Sequence, residues 1–422
     1  MSVSLKLDNH PCFNDKARHE FGRIHLPVAR SCNIQCRYCN RKYDCVSEGR
    51  PGVSSAVLTP PQALLYLHQA MKNDQRIKVV GIAGPGDPLA DAAATMETLA
   101  RVRDAYPEML LCLATNGLNL PEHADELARL RVSHVTVTVN AVDPAVGERI
   151  YSWVRPGKFT LRQKEGAALL LARKLEGISR LKERGVTIKI NTVVVPGVND
   201  EHVAEIARKA AALGADIMNC VPLYPVAGSL WEDMPAPPPD MIGRIRLEAG
   251  KHLPQMEHCA RCRADAAGLV GETTGEATFD LLKSIARPEP LSGERPYVAV
   301  ATMEEVLVNQ HLGAAASLSV YERQGGGFRL VERRATPPPG DGDRRWEALA
   351  RTFSDCRAIL AGGIGQSPKR IFASCGLQVI EMEGLIEEAL LGVYEGRDLS
   401  RLAKKTRTRC GSGCGGDGRG CG

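Results

Sequence analysis

The sequence carries little net charge, +5 over 422 residues. That balance gives no argument for a nucleic-acid partner. Only Arg401 to Arg409 is locally basic, with five cations and no acid, and it reads as a solvated tail rather than an interaction arm. The opening MSVSLKLDNHPCFND has no charged segment followed by an apolar run, so no secretory leader is visible. No apolar stretch approaches the length of a membrane span. We therefore expect a cytoplasmic protein with no membrane and no nucleic acid among its partners, in a compartment where thiols stay reduced. Fourteen cysteines are then poor candidates for a disulfide framework. Clustered ones point to metal or redox chemistry instead. No internal repeat is present.

What is present is ordinary globular material, 44 % apolar and 24 % charged, in a length that suits two domains. From residue 22 to 223, strand-like and helix-like stretches alternate. FGRIHLPVA, IKVVGIAG, MLLCLATNG, SHVTVTVNA, VTIKINTVVVPG and ADIMNCVPL read as strands. Helical patterns fall at Pro60 to Met71, Asp91 to Ala105, Pro121 to Leu130, Phe159 to Arg184 and Asp200 to Leu213. The β-branched runs fit strands buried on both faces, and the alternation argues for parallel strands with crossover helices. An α/β fold follows, either a partial barrel or an open doubly wound sheet. PAPPPD at 235–240 reads as a loop. Residues 286–295 read as a linker, since Pro, Gly and charge cluster there. A smaller α/β pattern occupies 296–398, with PYVAVAT, AASLSVYE, GFRLVERR, CRAILA and LQVIEM as strands and GLIEEALLGVYEG as a helix. Residues 399–422 form a basic and Cys/Gly-rich tail that we expect to be disordered unless metal orders it.

Cys32, Cys36 and Cys39 follow the first strand in SCNIQCRYCN. Thiolates are soft ligands for iron–sulfur clusters or zinc. Three cysteines on a four-iron cubane leave one iron open to a small molecule. Zinc is the competing reading, with Cys45 as a fourth ligand. Gly84, Gly86 and Asp87 end the second strand in GIAGPGDPL, where glycine lets backbone approach a ligand. Leu89 stands where a dinucleotide motif would need its third glycine. Thr115, Asn116, Asn140 and Asn191 also end strands, the edge that holds ligands in parallel α/β proteins. Each is equally a plausible turn residue. Further soft ligands exceed the needs of one cluster: Cys12, His25, Cys45, Cys112, and the CxxC pair Cys259 and Cys262. A lone buried Cys or His is usually a packing residue, but a CxxC pair reaches one metal centre. Cys12 with Cys259 and Cys262 forms one candidate set, and His25 with Cys45 and Cys112 another, with individual swaps left open. His311 and Cys375 in the second domain are weaker candidates.

The CxxxCxxC spacing, with an aromatic residue before the third cysteine, resembles the radical SAM superfamily. In that family the open iron chelates S-adenosylmethionine (SAM), and its reductive cleavage yields a 5′-deoxyadenosyl radical. GPGDP stands where the family contacts the SAM amino group, with Asp87 near a position often held by Glu. The resemblance implies a partial (β/α)6 barrel. HPCFNDKARHEFGRIHLPVARSCNIQCRYCNRKYDCVSEGRPGVSSAVLTP is similar to the NifB family of nitrogenase cofactor biosynthesis enzymes. GPGDPLA, LATNGLNLP, HVTVTVNAVDP, INTVVVPGVND and CARCRADAAGLVGE continue the match, which covers nearly all of 10–285. Residues 296–398 resemble the NifX-like domain fused to many members, with a ribonuclease H-like α/β fold. The Cys-rich tail departs from that pattern.

The resemblance implies one radical SAM [4Fe-4S] cluster and two substrate [4Fe-4S] clusters, fused around a SAM-derived carbide with an extra sulfur into NifB-co. It maps the substrate ligands onto Cys12, His25, Cys45, Cys112, Cys259 and Cys262. It gives catalytic parts to Cys112 and to Glu48, the latter a labile ligand or proton acceptor. Its implied partners are cluster donors and cofactor carrier or scaffold proteins of nitrogenase assembly, with a ferredoxin or flavodoxin as electron donor. Two readings compete with it: a radical SAM enzyme acting on a peptide, and a non-enzymatic cluster carrier.

Overall fold

A computed structural model describes residues 9–47, 52–256, 258–286, 295–396, 399 and 402. Glu48 and the cysteines of the tail lie outside the described residues. The chain divides into two compact units, Met1–Ala286 and Arg287–Gly422.

In the first unit the elements run β1 (Gly22–His25), β2 (Ile34–Cys36), α1 (Pro60–Asn73), β3 (Ile77–Ile82), α2 (Ala92–Ala105), β4 (Leu110–Thr115), α3 (Leu120–Arg129) and β5 (Val132–Thr138). Then come α4 (Pro144–Ile150), β6 (Tyr151–Val154), α5 (Gln163–Glu183), β7 (Thr187–Val194), α6 (Val203–Ala212), β8 (Ile217–Pro222), α7 (Pro239–Gly250), β9 (Ala267–Gly268) and α8 (Glu276–Ala286). The main sheet has the order β8-β7-β5-β4-β3-β1-β9. Six strands are parallel neighbours, and β9 closes the β1 edge antiparallel. Each parallel strand lies beside the one before it in the chain. A doubly wound sheet would reverse direction at a switch point, and this one does not. The order is that of a curled partial barrel, with crossovers that place successive helices on one face.

The starts of the helices are set locally. Thr59 and Gln62 form a capping box at α1, with Pro60 in the first turn. Asp143 accepts from the Ala145 N–H at the start of α4. The main core joins Ile24, Val80, Ile82, Leu111, Leu113, Val135, Ile188 and Ile190 to helix residues such as Tyr66, Leu99 and Leu127.

Sequence patterning missed one piece that matters for the site. β2 and β6 form an antiparallel ribbon outside the sheet, with Cys36 opposite Tyr151 and Ile34 opposite Val154. Both strands are too short to show alternation. The ribbon belongs to a separate apolar cluster with Tyr38, Val46, Leu118, Leu170 and Leu223, against which Cys32 and Cys39 pack.

The second unit holds β10 (Tyr297–Val300), β11 (Leu307–Val308), β12 (Ser317–Gln324), β13 (Gly327–Ala335), α9 (Asp343–Thr352), β14 (Cys356–Ala361), α10 (Gln366–Ser374), β15 (Gln378–Glu381), β16 (Gly384–Leu385) and α11 (Ile386–Glu395). Its five-stranded sheet has the order β13-β12-β10-β14-β15. An antiparallel hairpin pairs with one edge of β10, and parallel β14 and β15 continue from the other. This mixed sheet agrees with the ribonuclease H-like expectation.

Candidate functional site

A cavity of about 460 Å³ opens where the Cys-rich loop meets the ends of β3 and β4, within the usual range for a small-molecule site. Cys32, Cys36, Cys39 and Cys45 line it, with Gly86, Asp87 and Asn116. The loop is held from several sides. Gln35 Nε2 donates to the carbonyls of Cys36 (3.0 Å) and Cys39 (2.7 Å). Arg41 Nη2 donates to Ile34 O at 2.6 Å. Gly86 N–H donates to Ala29 O, and Asp87 N–H to Ser31 O, both at 2.7 Å.

These residues fit a four-iron cluster. Three thiols face one cavity, and Asn116 Nδ2 approaches Cys32 Sγ at 3.6 Å, the geometry of an N–H donor to sulfur. Burial pushes all three thiols up, Cys36 to about 12, so thiolates are stable there only beside a compensating metal charge. Among the described residues no three His, Cys, Asp or Glu side chains meet closely enough for one metal ion. A cubane offers each thiolate its own iron, so its ligands stand further apart. Behind Cys36, Lys174 Nζ donates to Tyr151 Oη at 3.0 Å, and burial pulls this amine down to about 7.

The residues expected around SAM divide into two groups. Gly86, Asp87 and Asn116 reach the cavity wall. Asp87 also braces it: its carboxylate accepts from Leu89 N–H (2.9 Å), Thr115 Oγ1 (3.0 Å) and the Asn116 N–H. Gly84, Thr115, Asn140 and Asn191 are not among the lining residues. Asn140 is fully buried, donates to Tyr38 Oη at 2.7 Å and accepts from Val193 N–H at 2.9 Å. Asn191 Nδ2 donates to Ser47 O at 3.1 Å. These two asparagines tie the Cys-rich loop to the strand ends.

A second group of sulfur and imidazole side chains lies on the sheet. Register places His25 opposite Gly81, Gly81 opposite Cys112, and Cys112 opposite His134, in one row across four strands. A Cβ at Gly81 would stand 2.9 Å from His25 Cδ2, so glycine lets that ring lie across β3. His25 Nδ1 donates to Arg263 O at 2.8 Å, leaving the Nε2 lone pair for a metal. Burial holds this imidazole neutral, down to about 4. The Arg263 carbonyl is itself fixed, because Arg263 pairs at 2.8 Å with the buried Asp265, and Asp265 accepts from Ser55 N–H at 2.7 Å.

Cys12, Cys259 and Cys262 come together from opposite ends of the first unit. Burial raises the Cys12 thiol to about 11, and the neighbouring Cys262 and Cys259 push the same way. Arg23 Nη2 donates to Cys262 Sγ at 2.9 Å. Cys45 differs from its expected companions. It lines the cavity of the opening three cysteines, its N–H bound to Pro85 O at 3.0 Å, while His25 and Cys112 sit on strands.

Sequence reasoning missed His10, Arg23, His134 and Lys189. His10 and His134 lie ring to ring, 4.2 Å between centroids, with Phe13 4.4 Å from His134. His10 accepts the Cys12 N–H on Nδ1. For two of these the signal available was position: His10 is two residues from Cys12 and Arg23 two from His25. In the second unit, His311 Nδ1 accepts from Gly313 N–H at 3.1 Å, and Cys375 is half-buried at the end of α10.

The cavity, its three thiols and the curled sheet define a radical SAM enzyme, and the family described as "Radical SAM superfamily" matches residues 26–210. "Dinitrogenase iron-molybdenum cofactor" matches 294–396. "FeMo cofactor biosynthesis protein NifB" of Chlorobaculum tepidum is 52 % identical over 99 % of this chain and 100 % of its own length. The proteins of the same name from Klebsiella pneumoniae and Azotobacter vinelandii are 38 % and 36 % identical, over 91 % and 93 % of this chain and 87 % and 89 % of theirs. The chain belongs to the NifB family, radical SAM enzymes of iron–molybdenum cofactor biosynthesis. That membership brings a [4Fe-4S] cluster and SAM as cofactors, and a place among nitrogenase assembly proteins. Among the described residues no helix is long and apolar enough to cross a membrane.

Proposed function

We propose that the enzyme fuses two [4Fe-4S] substrates and inserts a SAM-derived carbide and an extra sulfur, forming NifB-co. One substrate core is held by Cys12, Cys259 and Cys262, the other by His25 and Cys112, with Cys45 joining from the cavity wall. Cys32, Cys36 and Cys39 would hold a [4Fe-4S] cluster that would supply the electron for cleaving SAM, with SAM serving as source of both the transferred methyl group and the hydrogen-abstracting radical. Asn116 and Arg41 orient the Cys32 loop, the β2–β6 ribbon carries Cys36, and buried walls would keep water from the site. Glu48 is assigned proton transfer. Cluster donors, cofactor carriers and a ferredoxin or flavodoxin in the cytoplasm are the proposed partners.

The observation that carries this reading is the second ligand group, outside the cavity of the opening cysteines, with His25 Nε2 left free by the Nδ1 bond to Arg263 O. The test is anaerobic reconstitution followed by SAM and reductant. Both S-adenosylhomocysteine and 5′-deoxyadenosine are expected, with a product cluster that activates cofactor-free nitrogenase through the assembly pathway. Deoxyadenosine without S-adenosylhomocysteine refutes the two-SAM scheme. Neither product favours a cluster carrier.

A further inference from the structure

One buried amine beside the Cys-rich loop has no part in the chemistry proposed above. Lys174, midway along α5, is 2 % exposed. Its stem passes Gly117 in the ATNG turn after β4, where a Cβ would stand 2.8 Å from Lys174 Cγ and φ is +83°. The neighbouring Asn116 reaches the Cys-rich loop, with Nδ2 2.7 Å from Asn33 Oδ1 and 3.6 Å from Cys32 Sγ. Lys174 Nζ ends 3.0 Å from Tyr151 Oη and 4.8 Å from the centre of that ring. Tyr151 is opposite Cys36 in the β2–β6 ribbon, and both side chains belong to one buried apolar cluster. Such cross-strand neighbours stand about 5 Å apart at Cβ. Lys174 thus backs the cysteine loop at two points, towards Cys32 through the ATNG turn and towards Cys36 through Tyr151. It is not among the residues lining the cavity, so it does not act by touching SAM.

Tyr151 gives the amine a neutral phenol and a ring face, and neither cancels its charge. A [4Fe-4S] cluster on three thiolates carries net negative charge, and the electron that enters it adds another. A fixed cation nearby favours that reduced state, and the anion in turn favours the protonated amine. We propose that Lys174 is a positioning residue, held by Tyr151 and Gly117, whose charge eases one-electron reduction of a cluster on Cys32, Cys36 and Cys39. The electron comes from a low-potential iron–sulfur or flavin protein, and no bond or proton changes place at Lys174. A unit charge on the order of 10 Å away, at an effective dielectric of about 20, shifts such an equilibrium roughly tenfold, or about 59 mV for one electron. The inference rests on those three cysteines holding the cluster.

The test is a redox titration of the full-length protein, reconstituted anaerobically with iron and sulfide and followed by electron paramagnetic resonance (EPR). The signal that changes on adding SAM identifies the cluster concerned, and iron content checks that each variant folds and loads. Lys174→Met, which keeps the length of the side chain and removes the charge, should retain iron and the SAM-sensitive signal. Its midpoint potential should fall by about 59 mV, a tenfold weaker reduction equilibrium. Lys174→Arg restores the charge and should restore most of the potential. Signals that do not respond to SAM should stay where they are. A parent-like potential in Lys174→Met, an equal fall in Lys174→Arg, or the same shift in every signal overturns the proposal and leaves the cluster assignment intact. If Cys32→Ala/Cys36→Ala/Cys39→Ala keeps the SAM-sensitive signal, that assignment is overturned, and this inference with it.

Discussion

Replacing Gly86 by alanine should detach the cavity wall from the cysteine loop. A Cβ there would stand 2.0 Å from Ser31 O and 2.6 Å from Ser31 C. Both are backbone atoms, so no rotamer change relieves the clash, and one segment must retreat by more than an ångström. Gly86 lies outside the positive-φ glycines, so the cost comes from contact and not from backbone conformation. Retreat also breaks the two 2.7 Å hydrogen bonds from Gly86 and Asp87 to Ala29 and Ser31. Overpacking costs about 1–3 kcal/mol and each lost bond about 1 kcal/mol. The variant should therefore be destabilised by roughly 3–5 kcal/mol. In a unit of this size that lowers the melting temperature by on the order of 10 °C. Circular dichroism of the metal-free protein measures it, and 5′-deoxyadenosine yield from the reconstituted protein should fall with it. A Cβ at Gly243, in α7, would meet no atom within 4 Å; Gly243→Ala should stabilise by about 0.5–1 kcal/mol. A Gly86→Ala protein that melts and cleaves SAM like the parent refutes the reasoning.

Gly81→Ala should push the His25 ring off β3, since its Cβ would meet Cδ2 at 2.9 Å; iron analysis should show one substrate core lost and the SAM-bound EPR signal kept. Cys259→Ala with Cys262→Ala should likewise keep SAM cleavage and lose one four-iron core. His134 is held neutral down to about pH 3, by burial first and then by Lys189. The unfolded chain takes up a proton below pH 6.5 that the folded chain refuses, so stability falls as pH falls through that window. Between pH 6.5 and 5 the loss is about 2 kcal/mol. Denaturant titration of metal-free His134→Phe should show a correspondingly flatter pH dependence.

The alternation of strands and helices was legible because buried parallel strands must be β-branched and apolar along their length. Leu110–Thr115 and Thr187–Val194 could be read directly. The β2–β6 ribbon could not, since three or four residues carry no period and its partners are separated by more than a hundred residues. Asn140 and Asn191 show the same division. Their place at strand ends was visible, but their use as braces for the Cys-rich loop depends on which loop folds over them.

By itself the sequence determined the chemistry on offer. Thiol spacing in SCNIQCRYCN is local, so three thiols suited to one cluster follow from one loop. Family membership follows from motifs spread along the whole chain. Tertiary structure decided what local spacing leaves open. Sequential strand order made the sheet a curled partial barrel and not a doubly wound one. Register set His25, Gly81, Cys112 and His134 in a single row. Loop packing brought Cys12 to Cys259 and Cys262, and set Arg23 against Cys262. Those contacts join residues about 240 to 250 positions apart, and only hydrogen-bonded register and burial determine which distant side chains meet.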